Sequence, residues 1–199
     1  MKEYTVCMAL FDFIPVVLFG IASVILQRAL YPRMSKGAFA LFAAGTIDII
    51  CAGGLKALYK LLYALNICDF EVLNDLFFPV QSIGFLLAGL GVIAMVTHKQ
   101  GESVYSVAPA AFSGTMIFVV LITLGTIMLE GGLMVLAARK KSALTIVLLA
   151  ISLICLLAMG YISSRDFALS YWNWIAEGIN IAGQICFLLA AIKLKNILK

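Results

Sequence analysis

Residues Ser142–Ser164 read SALTIVLLAISLICLLAMGYISS and carry no charged side chain. A helix rises about 1.5 Å per residue, so roughly 20 apolar residues cross the hydrocarbon core of a bilayer. This stretch is long enough to cross, and two others match it. Leu76–Thr97 and Ser103–Leu129 are also free of charge. Three more apolar stretches hold isolated charges: Thr5–Ala29 with Asp12, Gly37–Leu62 with Asp48 and Lys56, and Phe167–Ile192 with Glu177. Six spans with short connectors account for the chain. The expected fold is therefore all-α: a polytopic membrane protein, one integral membrane domain over residues 1–199, built as a bundle of six transmembrane helices.

Composition agrees. Apolar residues make up 64% of the chain and charged residues 12%, against about half and about a quarter in soluble domains. That excludes a soluble globular fold and a disordered one. Barrel strands alternate apolar and polar residues over about 10 positions, whereas the runs here are continuous. Met1-Lys2-Glu3 has the look of a signal-peptide start, but the apolar run behind it is too long and no small-x-small cleavage site follows. The stretch reads as the first span. The five cysteines form no CxxC pair, and the single histidine, His98, rules against a zinc or haem site. No cofactor and no metal are implied. A net charge of +4 without a basic stripe gives no support to nucleic-acid binding.

Lysine and arginine in short loops favour the cytoplasmic side. With the N-terminus inside, nine basic residues fall inside and five outside. Both termini are then expected in the cytoplasm, and the short loops fit a prokaryotic plasma membrane. The basic first connector, Arg28–Lys36, falls outside under that count, against the rule.

Two readings fit a set of internal matches: a weak repeat, or the chance alignment of Val-, Leu- and Ile-rich helices. A shift of 103 aligns Ile14–Leu30 with Ile117–Leu133 and sets Gln27 on Glu130. A shift of 104 aligns Ile47–Cys51 with Ile151–Cys155, and a shift of 96 sets Gln81 on Glu177. The implied units are residues 5–98 and 108–195, each of three helices. An odd number of spans per unit predicts an inverted repeat, with a site near the midplane between the halves.

Polar groups inside the bilayer are costly and face the bundle interior or a cavity. Asn173, Glu177, Asn180 and Gln184 are spaced 4, 3 and 4, which puts them on one helix face. They are the expected walls of a solute or ion path. Glu130, followed by Gly131-Gly132, suggests a loosened helix beside a carboxylate, and Asp48 lies near the middle of the second span. These two are the expected proton or cation groups. Depth along the spans groups Asp48 with Glu177, and Asp12 with Glu130. Gln81, Gly84, Ala88 and Gly91, spaced 3, 4 and 3, form a small-residue stripe suited to close helix packing, with the last helix as the expected partner. Lys56 is expected to snorkel to the surface. Pro79 and Pro109 suit the first turns of their helices, and Pro15 a kink in the first.

With no phosphate loop, nucleophile elbow or metal motif, these features favour no enzyme. They favour a small transporter or channel for a polar or cationic solute. The other reading is a non-transporting membrane subunit, sensor or scaffold, whose polar stripes bind a partner helix or a second copy. A wet cavity faced by Glu177 distinguishes the first reading from the second.

Overall fold

The computed structural model describes residues 5–97, 115–162 and 170–198. Among them the elements are α1 (Val6–Phe11), α2 (Phe13–Leu30), a 3-10 turn (Tyr31–Arg33), α3 (Lys36–Ala64), α4 (Val72–Asp75), α5 (Phe77–Thr97), α6 (Thr115–Arg139), α7 (Ala143–Ile162) and α8 (Ser170–Leu198). Six helical segments are long and apolar enough to cross a membrane: Val6–Arg33, Lys36–Ala64, Val72–Thr97, Ile117–Arg139, Ala143–Gly160 and Tyr171–Leu198. Large apolar side chains cover their outward faces at helical spacing. Examples are Val17, Ile21 and Val24 on α2 and Leu144, Val147, Ile151 and Ile154 on α7.

Local chemistry sets the helix ends. The Ser35 hydroxyl accepts from the Ala38 N–H at 3.2 Å and starts α3. Asn66 and Lys141 follow the ends of α3 and α6 with φ of 54° and 55°. In each case the next residue, Ile67 or Ser142, donates back five residues to Leu62 or Ala137, the left-handed stop of a Schellman turn. Asp12 separates α1 from α2. Pro15 supplies no N–H to the Phe11 carbonyl four residues earlier, and its ring crowds it. The expected kink therefore falls at Asp12. Pro79 lies in the first turn of α5, as expected, and Pro109 lies outside the described residues.

The helices close into a ring. α2 packs on α3, α3 on α5, α5 on α6, α6 on α7, α7 on α8, and α8 back on α2. Glycines set the tightest approaches. A Cβ on Gly45 would stand 2.4 Å from the Ala88 nitrogen, one on Gly91 2.6 Å from the Ala38 carbonyl, and one on Gly125 2.5 Å from the Phe85 carbonyl carbon. The stripe of Gly84, Ala88 and Gly91 thus packs as predicted in kind, but against α3 rather than the last helix.

The helix directions overturn the inverted repeat. Along α5 and α6, Phe85 meets Gly125, Val92 meets Gly132, and the Arg139 guanidinium donates to the Val96 carbonyl at 2.9 Å. The two helices run the same way, so Thr97 and Thr115 lie at opposite ends of the bundle. α2 and α8 are parallel too: Phe11 meets Trp174, Phe19 stacks on Phe187, and Arg33 donates to the Leu198 carbonyl. The helices α2, α3 and α5 therefore run in the same order of directions as α6, α7 and α8, which is not the order an inverted repeat requires. Two pairs of contacts are similar in kind. Gln27 donates to Thr46 at 2.8 Å between α2 and α3, and Ser152 donates to Glu130 at 3.0 Å between α7 and α6. Arg33 caps the end of α8 as Arg139 caps the end of α5.

The strict alternation of directions expected of consecutive spans fails between Thr97 and Thr115, which lie at opposite ends of the bundle. The charge-free run suggested Ser103–Leu129, but the helix carries Glu130 in its interior and continues to Arg139. It passes unbroken through Gly131 and Gly132, because Gly132 is where Val92 of α5 packs. Thr5 and Leu198 therefore lie at opposite ends of the bundle. The charge count changes with it. Arg28, Arg33, Lys36, Arg139, Lys140, Lys141, Lys193 and Lys195 all gather at the end holding Leu198. The opposite end carries Asp69, Glu71 and Asp75.

Candidate functional site

The two ends differ in packing as well as charge. Toward Leu198 the interior is dry, filled by Leu26, Leu30, Phe42, Val92, Leu133 and Leu194. Toward Asp12 the ring encloses a cavity of about 380 Å3 walled by every long helix. Phe19 and Phe85, with ring centroids 6.4 Å apart, line its deep end, and Phe187 stacks under Phe19 at 5.5 Å. This aromatic group separates the cavity from the dry half.

The polar stripe of α8 faces this space. Asn173, Glu177, Asn180 and Gln184 all line the cavity, as their spacing predicted. Opposite them, Ile49, Gly53, Lys56 and Lys60 make a second stripe on α3, spaced 4, 3 and 4. The kink at Asp12 brings its carboxylate to the same place. The Lys60 ammonium lies 2.5 Å from Asp12 Oδ2 and 3.8 Å from Glu177 Oε1, with all three side chains largely buried. Lysine 60 thus sits between two carboxylates from the two repeat units. Lys56 does not snorkel: its ammonium lies 4.1 Å from the Phe77 ring centroid, over the cavity wall. Among the described residues it forms no ion pair within 4 Å.

Several oxygens on these walls have no donor. Asp12 Oδ1, Glu177 Oε2 and Gln184 Oε1 are buried without a hydrogen-bond partner, on residues 8%, 9% and 7% exposed. Buried acceptors left unpaired cost about 1–3 kcal/mol each. Their sharing one cavity marks the place where the fold is least satisfied by its own groups.

The other expected site residues separate from this cluster. Gln81 lines the cavity rather than packing a helix interface. Glu130 is 1% exposed and bonded to Ser152, off the cavity wall, with its second oxygen unpaired. Asp48 does not reach the cavity either. It sits half-buried on the outer side of α3, between exposed Ile47 and Cys51. The depth grouping also changes. Asp12 meets Glu177, because α8 runs parallel to α2, so their beginnings lie at the same end. Sequence reasoning missed Lys56 and Lys60 as site residues by expecting Lys56 to snorkel and by counting both among the basic charges of the inside face. Their i, i+4 spacing with Gly53 and Ile49 was the available signal.

Among the described residues no group of three or more histidine, cysteine or acidic side chains is placed to hold a metal ion. No family model, no curated protein and no solved structure matches this chain.

Proposed function

We propose that the protein is an integral membrane transporter for a small polar solute, with the cavity between the two repeat units as its binding site. The observation that carries the reading is the Asp12–Lys60–Glu177 cluster on the wall of a cavity sealed at one end by packed aromatic and aliphatic side chains. A scaffold gains nothing from an interior left unfilled with unpaired acceptors on its walls. A transporter needs a site enclosed from one side at a time. Parallel repeats about an axis along the membrane normal are one of the layouts in which transporters place a site between two halves.

The orientation follows from the charge at the bundle ends. Basic residues concentrate at the end holding Arg33, Arg139 and Leu198, and the positive-inside rule makes that end cytoplasmic. The N-terminus and the cavity half then face outward, and the C-terminus inward, in a plasma membrane.

Lysine 60 also bears on the solute. Its ammonium occupies the place between Asp12 and Glu177 that a conducted cation would take, so a simple cation pore is disfavoured. The test is water access. In a chain without native cysteines, single cysteines at positions 180 and 184 are treated in intact membranes with a charged thiol reagent, with 182 and 185 as outward-facing controls. Labelling at 180 and 184 alone supports a solute path; protection of all four positions overturns it.

Asp48 favours a second reading, in assembly rather than in place of transport. A carboxylate on the outer face of a span costs a few kcal/mol against lipid. A partner helix or a second copy of the chain covering α3 at Asp48 would relieve that cost.

A further inference from the structure

We infer that the cavity takes a small zwitterion, a primary ammonium and a carboxylate carried on an apolar side chain. This deepens the transport reading and rests on it for the site, though not for the flux.

The argument begins with charge. Lys56 and Lys60 oppose Asp12 and Glu177 on the cavity walls, so the formal charges cancel. A cavity with no net charge gives neither a bare cation nor a bare anion a favourable field. The charges are nevertheless not paired off evenly. Lys60 serves both carboxylates, and that leaves Lys56 with an aromatic ring as its neighbour and no acidic oxygen within ion-pair distance among the described residues. Lys56 is thus a donor in want of an anion. On the other wall, Asp12 Oδ1, Glu177 Oε2 and Gln184 Oε1 are acceptors in want of a donor. An ammonium group carries three N–H donors and no acceptor, and a carboxylate carries only acceptors. One molecule bearing both groups satisfies both walls at once.

Size and lining complete the description. About 380 Å3 lies at the low end of small-molecule sites, roughly 300–1,000 Å3. That is far more than an ion requires. Between the polar walls lie Phe19, Phe77, Phe78 and Phe85, with Ile49 and Ile122 beside them. Such a surface favours an apolar or aromatic substituent over a polyol, whose hydroxyls would face rings.

The experiment uses the full chain in nanodiscs and four ligands: L-phenylalanine, 2-phenylethylamine, 3-phenylpropionate and glucose. Isothermal titration reads the dissociation constants. L-Phenylalanine is expected to bind about tenfold or more tightly than either half-molecule, as each hydrogen-bonded charge contributes about that factor. In Lys56→Met the L-phenylalanine dissociation constant is expected to rise to that of 2-phenylethylamine, while the amine's own constant holds. A general loss of fold would weaken both together. Equal binding of the amine and the amino acid overturns the inference, as does binding of glucose alone or of none of the four. Flux into proteoliposomes separates the two claims. L-Phenylalanine binding without flux sustains the zwitterion site and removes transport. Flux of another class of solute, with no L-phenylalanine bound, sustains transport and removes the zwitterion.

Discussion

Replacing Lys60 with methionine tests whether the cation between Asp12 and Glu177 holds the two repeat units together. Methionine keeps the length and the apolar stem and deletes the charge. At an effective dielectric of about 20, unit charges at the observed 2.5 Å attract by about 7 kcal/mol and at 3.8 Å by about 4 kcal/mol. Desolvation offsets most of that. The net cost of removing one member of a buried pair is about 3–5 kcal/mol, because the survivors remain buried and uncompensated. Lys60→Met strands two carboxylates that already carry one unpaired oxygen each. It is expected to lose about 3–5 kcal/mol. Asp12→Asn, which breaks the short contact, should cost more than Glu177→Gln, which breaks the long one. The triple variant Asp12→Asn, Lys60→Met, Glu177→Gln carries no charge at these positions and should regain most of the loss, since neutral replacements of buried ion pairs are often tolerated. Unfolding by sodium dodecyl sulfate in mixed micelles, followed by far-ultraviolet circular dichroism, gives the free energies. A Lys60→Met protein within about 1 kcal/mol of wild type refutes the reasoning. So does a triple variant no more stable than the single one.

Other consequences are as direct. Gly45→Ala puts a methyl group into the backbone of α5 and is expected to lose at least about 1–3 kcal/mol. Gly54→Ala, with nothing within 4 Å, should be neutral or slightly stabilising in the same unfolding assay. Glu130→Gln copies the Gln27–Thr46 contact into the second unit, so the protein should stay within about 1 kcal/mol of wild type and keep its solute binding. A tenfold loss of binding would put Glu130 in the solute path after all. Cys68 and a cysteine introduced at Ser142 lie at opposite ends of the bundle. An impermeant thiol reagent added outside intact cells should reach Cys68 alone. Labelling of both from one side refutes the parallel repeat, whereas labelling of position 142 alone refutes only the assigned orientation. Asp48→Leu should leave solute binding unchanged, and it should weaken any self-association seen by sedimentation in detergent.

What the sequence made legible was whatever depends on one helix at a time. The spans follow from uninterrupted apolar runs, the α8 stripe from spacing, and the kink at Asp12 from Pro15. What it concealed depends on how helices are aimed. Ser103–Leu129 is a longer charge-free run than a crossing needs, so its register was free. Placing it early made α6 end at Glu130, and the assumption that consecutive spans alternate ran it antiparallel to α5. In the structure Glu130 is bonded by Ser152 inside the bundle and α6 reaches Arg139; separately, Thr97 and Thr115 lie at opposite ends, so α6 runs parallel to α5. The same error explains the charge count. With alternating spans the basic connectors cancelled across the membrane. With parallel units they add at one end. The repeat itself was visible in Gln27 and Glu130, whose shared role is a bond to a hydroxyl on the next helix.

That repeat also says why the site is directional. A two-fold axis through a cavity places like groups on opposite walls, which suits a symmetric ligand. Here the scaffold keeps the symmetry and the site discards it. The offset that aligns Gln27 with Glu130 carries Asp12 to Thr115, and the offset that aligns Ile47–Cys51 with Ile151–Cys155 carries Lys56 to Gly160. Neither charge is repeated. The first unit therefore supplies both lysines and one carboxylate, and the second supplies Glu177 with the amides of α8. The unlike walls then fix which way a dipolar solute lies between them. Restoring symmetry is the sharpest way to separate these roles. Lys56→Leu gives the position no charge, as at Gly160 in the aligned helix, leaves the Gln27–Thr46 and Glu130–Ser152 contacts intact, and removes the anion-seeking wall. It should preserve stability within about 1 kcal/mol, because Lys56 holds no buried ion pair among the described residues. It should also abolish the preference for L-phenylalanine over 2-phenylethylamine. Loss of stability without loss of preference would make Lys56 a structural cation, and the cavity's asymmetry a matter of folding.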